Sequence, residues 1–151
     1  MANKTLQEMI FWTQAFHQEL ADCFDRSAKQ TQDERAQLLL DYLAEHERTL
    51  AQKVVAFGEN SKSTALNTWV SDYDKQFPPS HHDKRNQPYA TMTTVEIMNE
   101  LHQQHSRLVA RYKNLQDFVE GSGGDLLQQI IDLEEQEILR MAQSANRLED
   151  I

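Results

Sequence analysis

Thr93-Thr94-Val95-Glu96, continuing as Ile97-Met98-Asn99-Glu100-Leu101-His102-Gln103-Gln104-His105, starts with a hydroxyl, places a carboxylate three residues on, and meets no glycine or proline before Gly121. This is a helix start: the Thr93 hydroxyl can accept from the amide of Glu96 while the Glu96 carboxylate reaches back to the cap amide. Beyond it Met98, Leu101, Leu108, Tyr112, Leu115 and Val119 recur at intervals of three and four, with His105 in step. Such spacing places them on one helix face. The stretch predicts a helix over 94–120 with one side buried.

The same reading extends in both directions. Thr5-Leu6-Gln7-Glu8 and Thr31-Gln32-Asp33-Glu34 repeat the start signal, and Asp125-Leu126-Leu127-Gln128 is a looser version directly after Gly121-Ser122-Gly123-Gly124. That glycine run reads as a flexible turn. The first helix is expected over 6–29, with Met9, Thr13, Phe16, Leu20 and Cys23 along its buried stripe. The second, over 32–57, carries Leu39, Leu43, His46, Leu50, Val54 and Phe57. The last, over 126–149, carries Leu127, Ile130, Glu134, Ile138, Met141, Ala145 and Leu148. Every strong helix breaker falls between these segments: Gly58, then Pro78, Pro79 and Pro88, then Gly121, Gly123 and Gly124. Glycine breaks helices by backbone entropy and proline by its missing N–H. Four uninterrupted amphipathic segments predict an all-α four-helix bundle in one domain over residues 1–151.

The connections set the topology. The first and last are tight turns, so each pair of helices forms an antiparallel hairpin. The middle one is unusually long for a compact domain. Within it Leu66, Val70, Tyr73 and Phe77 predict a short helix over 64–76 that lays Trp69 against the bundle, and His81-His82 begin an exposed loop. A link of that length can return the chain along the bundle and leave the second and third long helices parallel.

Composition excludes several classes of function. Fifteen Lys and Arg against 24 Asp and Glu give a net charge of −9 over 151 residues, which opposes a phosphate backbone and argues against nucleic acid as a partner. The apolar residues, 39% of the chain, never gather into a membrane-spanning run or a signal-peptide core, so no membrane association is expected and a cytoplasmic protein is. Cys23 stands alone in the sequence and reads as a small core residue. Ile10, Phe11, Phe24 and Leu40 look surplus to one stripe and suggest a second buried seam, hence a homodimer. A protein partner of other kinds has no signature.

Two hairpins joined by one long crossover, with Phe16-His17-Gln18-Glu19-Leu20 on the first segment and Leu43-Ala44-Glu45-His46-Glu47 on the second, resemble the ferritin and rubrerythrin superfamily. The resemblance implies a ferritin-like bundle with a metal pair between the helices. One Glu would come from each of the first and third helices and one Glu-x-x-His from each of the others. The chain departs from that pattern. His46 has Leu43 three residues before it, Glu47 has Leu50 three residues after it, Glu134 is followed by Glu137 and Glu137 by Arg140. The standard di-iron motifs are incomplete.

Polar residues nevertheless stand at mid-helix core spacing: His46 and His105, Glu134 and Glu137, and Glu19 or His17. His46, His105, Glu19, Glu134 and Glu137 are the metal-ligand candidates. Imidazoles with carboxylates suit iron, manganese or zinc. The same residues can instead form a paired His–Glu network with no ion. Three functions remain open. A non-enzymatic bundle with a structural, interaction or stress role ranks first. An atypical metal-binding bundle with redox or storage activity ranks second, and a carrier of an apolar small ligand third.

Overall fold

Helix boundaries follow from local hydrogen bonding. The computed structural model describes residues 3–71 and 89–149, so the expectations for Tyr73, Phe77, His81, His82 and the side chain of Leu148 lie outside the described residues. Strand β1 (Asn3–Thr5) leads into α1 (Leu6–Gln30), whose first turn is capped by the Thr5 hydroxyl accepting from the Glu8 amide at 3.2 Å. Helix α2 (Glu34–Glu59) begins two residues later than expected, because Asp33 supplies the cap, accepting from the Arg35 amide at 3.0 Å. Thr31 instead closes α1, its amide donating to the Ser27 carbonyl.

The crossover departs from expectation. Among the described residues its helix, α3, is Ser63–Leu66, and the chain then extends into β2 (Trp69–Ser71), which pairs antiparallel with β1 in the register Thr5 to Trp69 and Lys4 to Val70. Successive strand side chains point to opposite sides. Val70 is therefore buried while Trp69 is 65% exposed, facing away from the bundle rather than against it. This two-stranded ladder ties the crossover to the start of α1, reinforced by the Leu6 amide donating to the Thr68 carbonyl at 3.0 Å. The chain re-enters the described region at a 3-10 turn, Tyr89–Thr91, where Tyr89 is fully buried edge-on to Phe24.

Helix α4 (Thr94–Gln116) starts with both halves of the capping box formed: the Glu96 amide donates to Thr93 Oγ1 at 3.2 Å, and the Thr93 amide donates to Glu96 Oε1 at 3.0 Å. Helix α5 (Gly121–Glu149) starts earlier than Asp125, so the glycine run belongs to its first turn rather than to a flexible loop. Gly121 has φ +68°, which only glycine adopts without strain. A Cβ on Gly123 would lie 2.8 Å from Thr68 Oγ1, so the crossover packs against this turn because no side chain intervenes.

Helix α5 packs against both α2 and α4, while α1 packs most extensively against α2. The segment just after α2 meets the start of α5, where Thr64 Oγ1 lies 3.4 Å from Ser122 Oγ. The two helices therefore run antiparallel, and α2 and α4 run in the same direction. The architecture is an all-α, ferritin-like four-helix bundle. Its core includes Leu20, Leu43, Leu50, Leu108, Leu127 and Met141. Ile10, Phe24 and Leu40 are buried within this same chain, and of the four residues read as a second seam only Phe11 is exposed. Among the described residues no helix is long and apolar enough to cross a membrane.

Candidate metal centre

Each long helix contributes one fully buried histidine or glutamate to the middle of the bundle: His17 from α1, Glu47 from α2, His105 from α4 and Glu134 from α5. Burying such groups unpaired would be strongly unfavourable, so they must satisfy one another. Glu47 lies between the two imidazoles. Its Oε2 is 3.1 Å from His17 Nδ1 and 3.2 Å from His105 Nε2, while its Oε1 lies 2.7 Å from the same His105 nitrogen. Only the Oε2 contact is aligned as a hydrogen bond, so Oε1 keeps a lone pair without a directed donor.

The other ring nitrogens are held from outside this group. His17 Nε2 donates to Glu134 Oε1 at 2.7 Å, and His105 Nδ1 donates to the Leu101 carbonyl at 3.0 Å, one turn back on its own helix. The rings stack with centroids 5.4 Å apart and 29° between planes, and the Phe16 ring meets both edge-on. Donor atoms of His17, Glu47 and His105 all come within 4.8 Å of one another. Those three can converge on a single ion.

Electrostatics follows from the pairing. Every neighbour of the four ring nitrogens is an acceptor, which assigns a proton to each nitrogen. Burial opposes charge on His17, but the carboxylates of Glu134 and Glu47 outweigh it and raise its pKa to about 10. Burial likewise pushes Glu47 up, yet His105 and His17 bring it down to about 2. For His105 burial again works against the charge, and Glu47 raises the pKa above the ordinary imidazole value. Without an ion, the set balances two imidazolium charges against two carboxylates.

The predicted ligands separate into three groups. His105 and Glu134 join this cluster. His46 and Glu137 form a neighbouring pair nearer the bundle's edge, His46 Nε2 lying 2.5 Å from Glu137 Oε2 as a close polar contact off the hydrogen-bonding direction. Glu19 is half-buried and sits two residues from His17, which at 3.6 residues per turn places it on the far side of the stripe. His17, the alternative to Glu19, and Glu47, one residue from His46, are the fully buried members on α1 and α2.

A signal for both was present. His17 stands seven residues from Ile10 and from Phe24, and Glu47 seven from Leu40 and from Val54. All four apolar residues are buried. Spacing leaves Glu19 and His17 as alternatives on the first helix, and Glu47 enters only as half of a Glu-x-x-His motif that Leu50 leaves incomplete.

Next to the cluster, Thr13 Oγ1 donates to the Met9 carbonyl at 2.8 Å and accepts from the buried Tyr112 hydroxyl. Burial raises the Tyr112 pKa further above its ordinary value. A cleft of about 210 Å³ between α4 and α5, lined by Met98, Leu101, His102, Ile138 and Met141, reaches His105 from the outside.

No protein-family model matches the chain, and no curated protein matches it by sequence. In three dimensions it is similar to a crystal structure from Thermotoga maritima, described as that of a candidate ferritin-like diiron-carboxylate protein. The two share 13% identity with a TM-score of 0.61 over 97% of each chain. At that identity the likeness establishes the ferritin-like fold, which the helix order and the long crossover already indicate.

Proposed function

We propose that this protein is an atypical metal-binding ferritin-like bundle that holds one divalent transition-metal ion on His17, Glu47 and His105. One observation carries the reading. Both imidazoles have their outer ring nitrogen tied down, by Glu134 and by the Leu101 carbonyl, while the inner nitrogen faces Glu47. Metal-binding histidines are oriented in this way, the outer hydrogen bond setting the tautomer and the ring angle.

The charge balance supports the same reading. An ion of charge +2 that displaces one proton from each imidazole leaves the buried set as neutral as before. Two imidazoles and one carboxylate with positions left open suit iron(II) or manganese(II), and zinc accepts the same donors. Bound there, the ion would supply Lewis acidity, or one-electron chemistry if it is iron or manganese. Glu134 keeps the His17 ring in place, and the apolar cleft beside His105 gives a small molecule an approach.

The competing reading is a metal-free structural bundle, because the four side chains also satisfy one another without an ion. Elemental analysis of protein purified without a histidine tag separates the two. About one metal per chain, abolished by His17→Ala and by His105→Ala, is the expected result. Less than about 0.1 per chain, with melting unchanged by added iron, manganese or zinc, removes the metal reading.

A further inference from the structure

Glu137 lies one turn beyond Glu134 on α5, and both of its oxygens are engaged, one by an imidazole and the other by an ammonium and a guanidinium. Oε2 is 2.5 Å from His46 Nε2; Oε1 is 3.0 Å from Lys53 Nζ and 3.4 Å from Arg140 Nη1. The carboxylate is only 3% exposed, whereas Arg140 is largely exposed and sits at the longer distance. Lys53 is thus the principal cation on this group. It reaches Glu137 from α2, along the same helix that supplies His46 and Glu47.

A buried carboxylate beside an imidazole, one helical turn from the Glu134 that holds His17, has the chemistry of a second cation position. Glu134 Oε2 adds a further donor on the same face of α5, buried and without a hydrogen-bond partner. A lysine ammonium and a divalent ion compete for such a carboxylate, since each neutralises it and each repels the other. We propose that the Lys53 ammonium holds the place of a second ion beside Glu137 and thereby limits this centre to a single metal. The inference rests on the proposed site at His17, Glu47 and His105, and it assigns Lys53 the role of setting metal stoichiometry.

Burial would raise the Glu137 pKa, but the Lys53 hydrogen bond and the His46 charge bring it below the ordinary carboxylate value. The group is therefore a carboxylate already supplied with positive charge. Lys53 is itself 39% exposed, so its head group can be changed on a helix surface without opening the core.

The test is equilibrium dialysis of the full chain against manganese(II) alone, followed by elemental analysis, with circular dichroism to confirm the helices. Wild type and Lys53→Arg should each retain one manganese per chain, and Lys53→Met should retain two. Adding Glu137→Gln to Lys53→Met should return the count to one. Lys53→Gln is the second neutral variant should the methionine substitution fold poorly. Two ions in wild type, or one ion in both folded neutral variants, overturns the proposal. No ion in wild type but one in Lys53→Met would refute the His17 site while upholding the role of Lys53. No ion in any of the chains would refute both.

Discussion

Replacing Glu47 by glutamine tests the buried centre most directly, because it changes one oxygen to an NH2 group and keeps the shape. The amide keeps one acceptor and gains a donor, yet two ring N–H groups converge on this side chain. With the amide oxygen in the Oε2 place both N–H groups keep an acceptor but lose the countercharge, and the NH2 then faces the His105 N–H at 2.7 Å, so that ring must shift or give up a proton. Breaking a buried charge pair from one side costs about 3–5 kcal/mol. For a chain of this size each kcal/mol lowers Tm by about 2–4 °C, so the variant should melt roughly 6–20 °C lower.

The pH dependence separates this cause from simple packing loss. His17 has a raised pKa, so its contribution is complete below its ordinary value of 6.5 and is lost as pH climbs through about 10. Glu47 has a depressed pKa, so its contribution is complete above 4.5 and is lost as pH falls through about 2. The gap in Tm between wild type and variant should therefore be widest between pH 4.5 and 6.5 and narrow on both sides. Differential scanning calorimetry of both proteins with chelator, from pH 4 to 9, measures it. A gap that stays constant across that range, or a variant as stable as wild type, would refute the ionic account of the core.

Other perturbations have separate readouts. Metal affinity should rise by roughly ten- to a hundredfold per pH unit between pH 6 and 8, because the ion displaces imidazole protons; calorimetric titrations in two buffers of different ionisation heat count those protons. Glu134→Gln should weaken metal binding by roughly 10–100-fold and leave its stoichiometry intact, since this carboxylate only orients His17; equal affinity would place Glu134 outside the centre. Gly121→Ala should lower stability by about 1 kcal/mol in chemical denaturation, because the residue must hold φ +68°. Thr93→Ala should cost about 1 kcal/mol by removing the cap of α4, seen as the same shift in denaturation midpoint at unchanged slope.

The helices were readable because their determinants are local. Thr5 and Thr93 cap the amides three residues ahead, and the glycines and prolines lie between the long segments. Reading failed where a distant segment decides the outcome. Val70 and Trp69 have helical spacing with Leu66 and Phe77, yet pairing with Lys4 and Thr5 draws them into a strand. The Gly121–Gly124 run resembles a loose turn, yet the close approach of Thr68 and Val119 makes Gly123 and Gly124 a packing requirement at the start of α5.

The site shows the same division. His105 and Glu134 sit at the centre of their stripes and were identifiable from spacing alone. His17 and Glu47 sit toward one side of theirs, in step with Ile10 and Phe24 and with Leu40 and Val54. A helix in a four-helix bundle touches two neighbours and buries a wide face, and periodicity cannot say on which side that face is wider. The packing of α1 against α2, and of α5 against both α2 and α4, chose the side. The amino-acid order therefore determined four helices, their hairpins and a polar mid-section, all of which depend on groups close in the chain. Which imidazoles and carboxylates meet depended on the relative rotation of helices distant in the chain, and only the folded bundle sets that rotation.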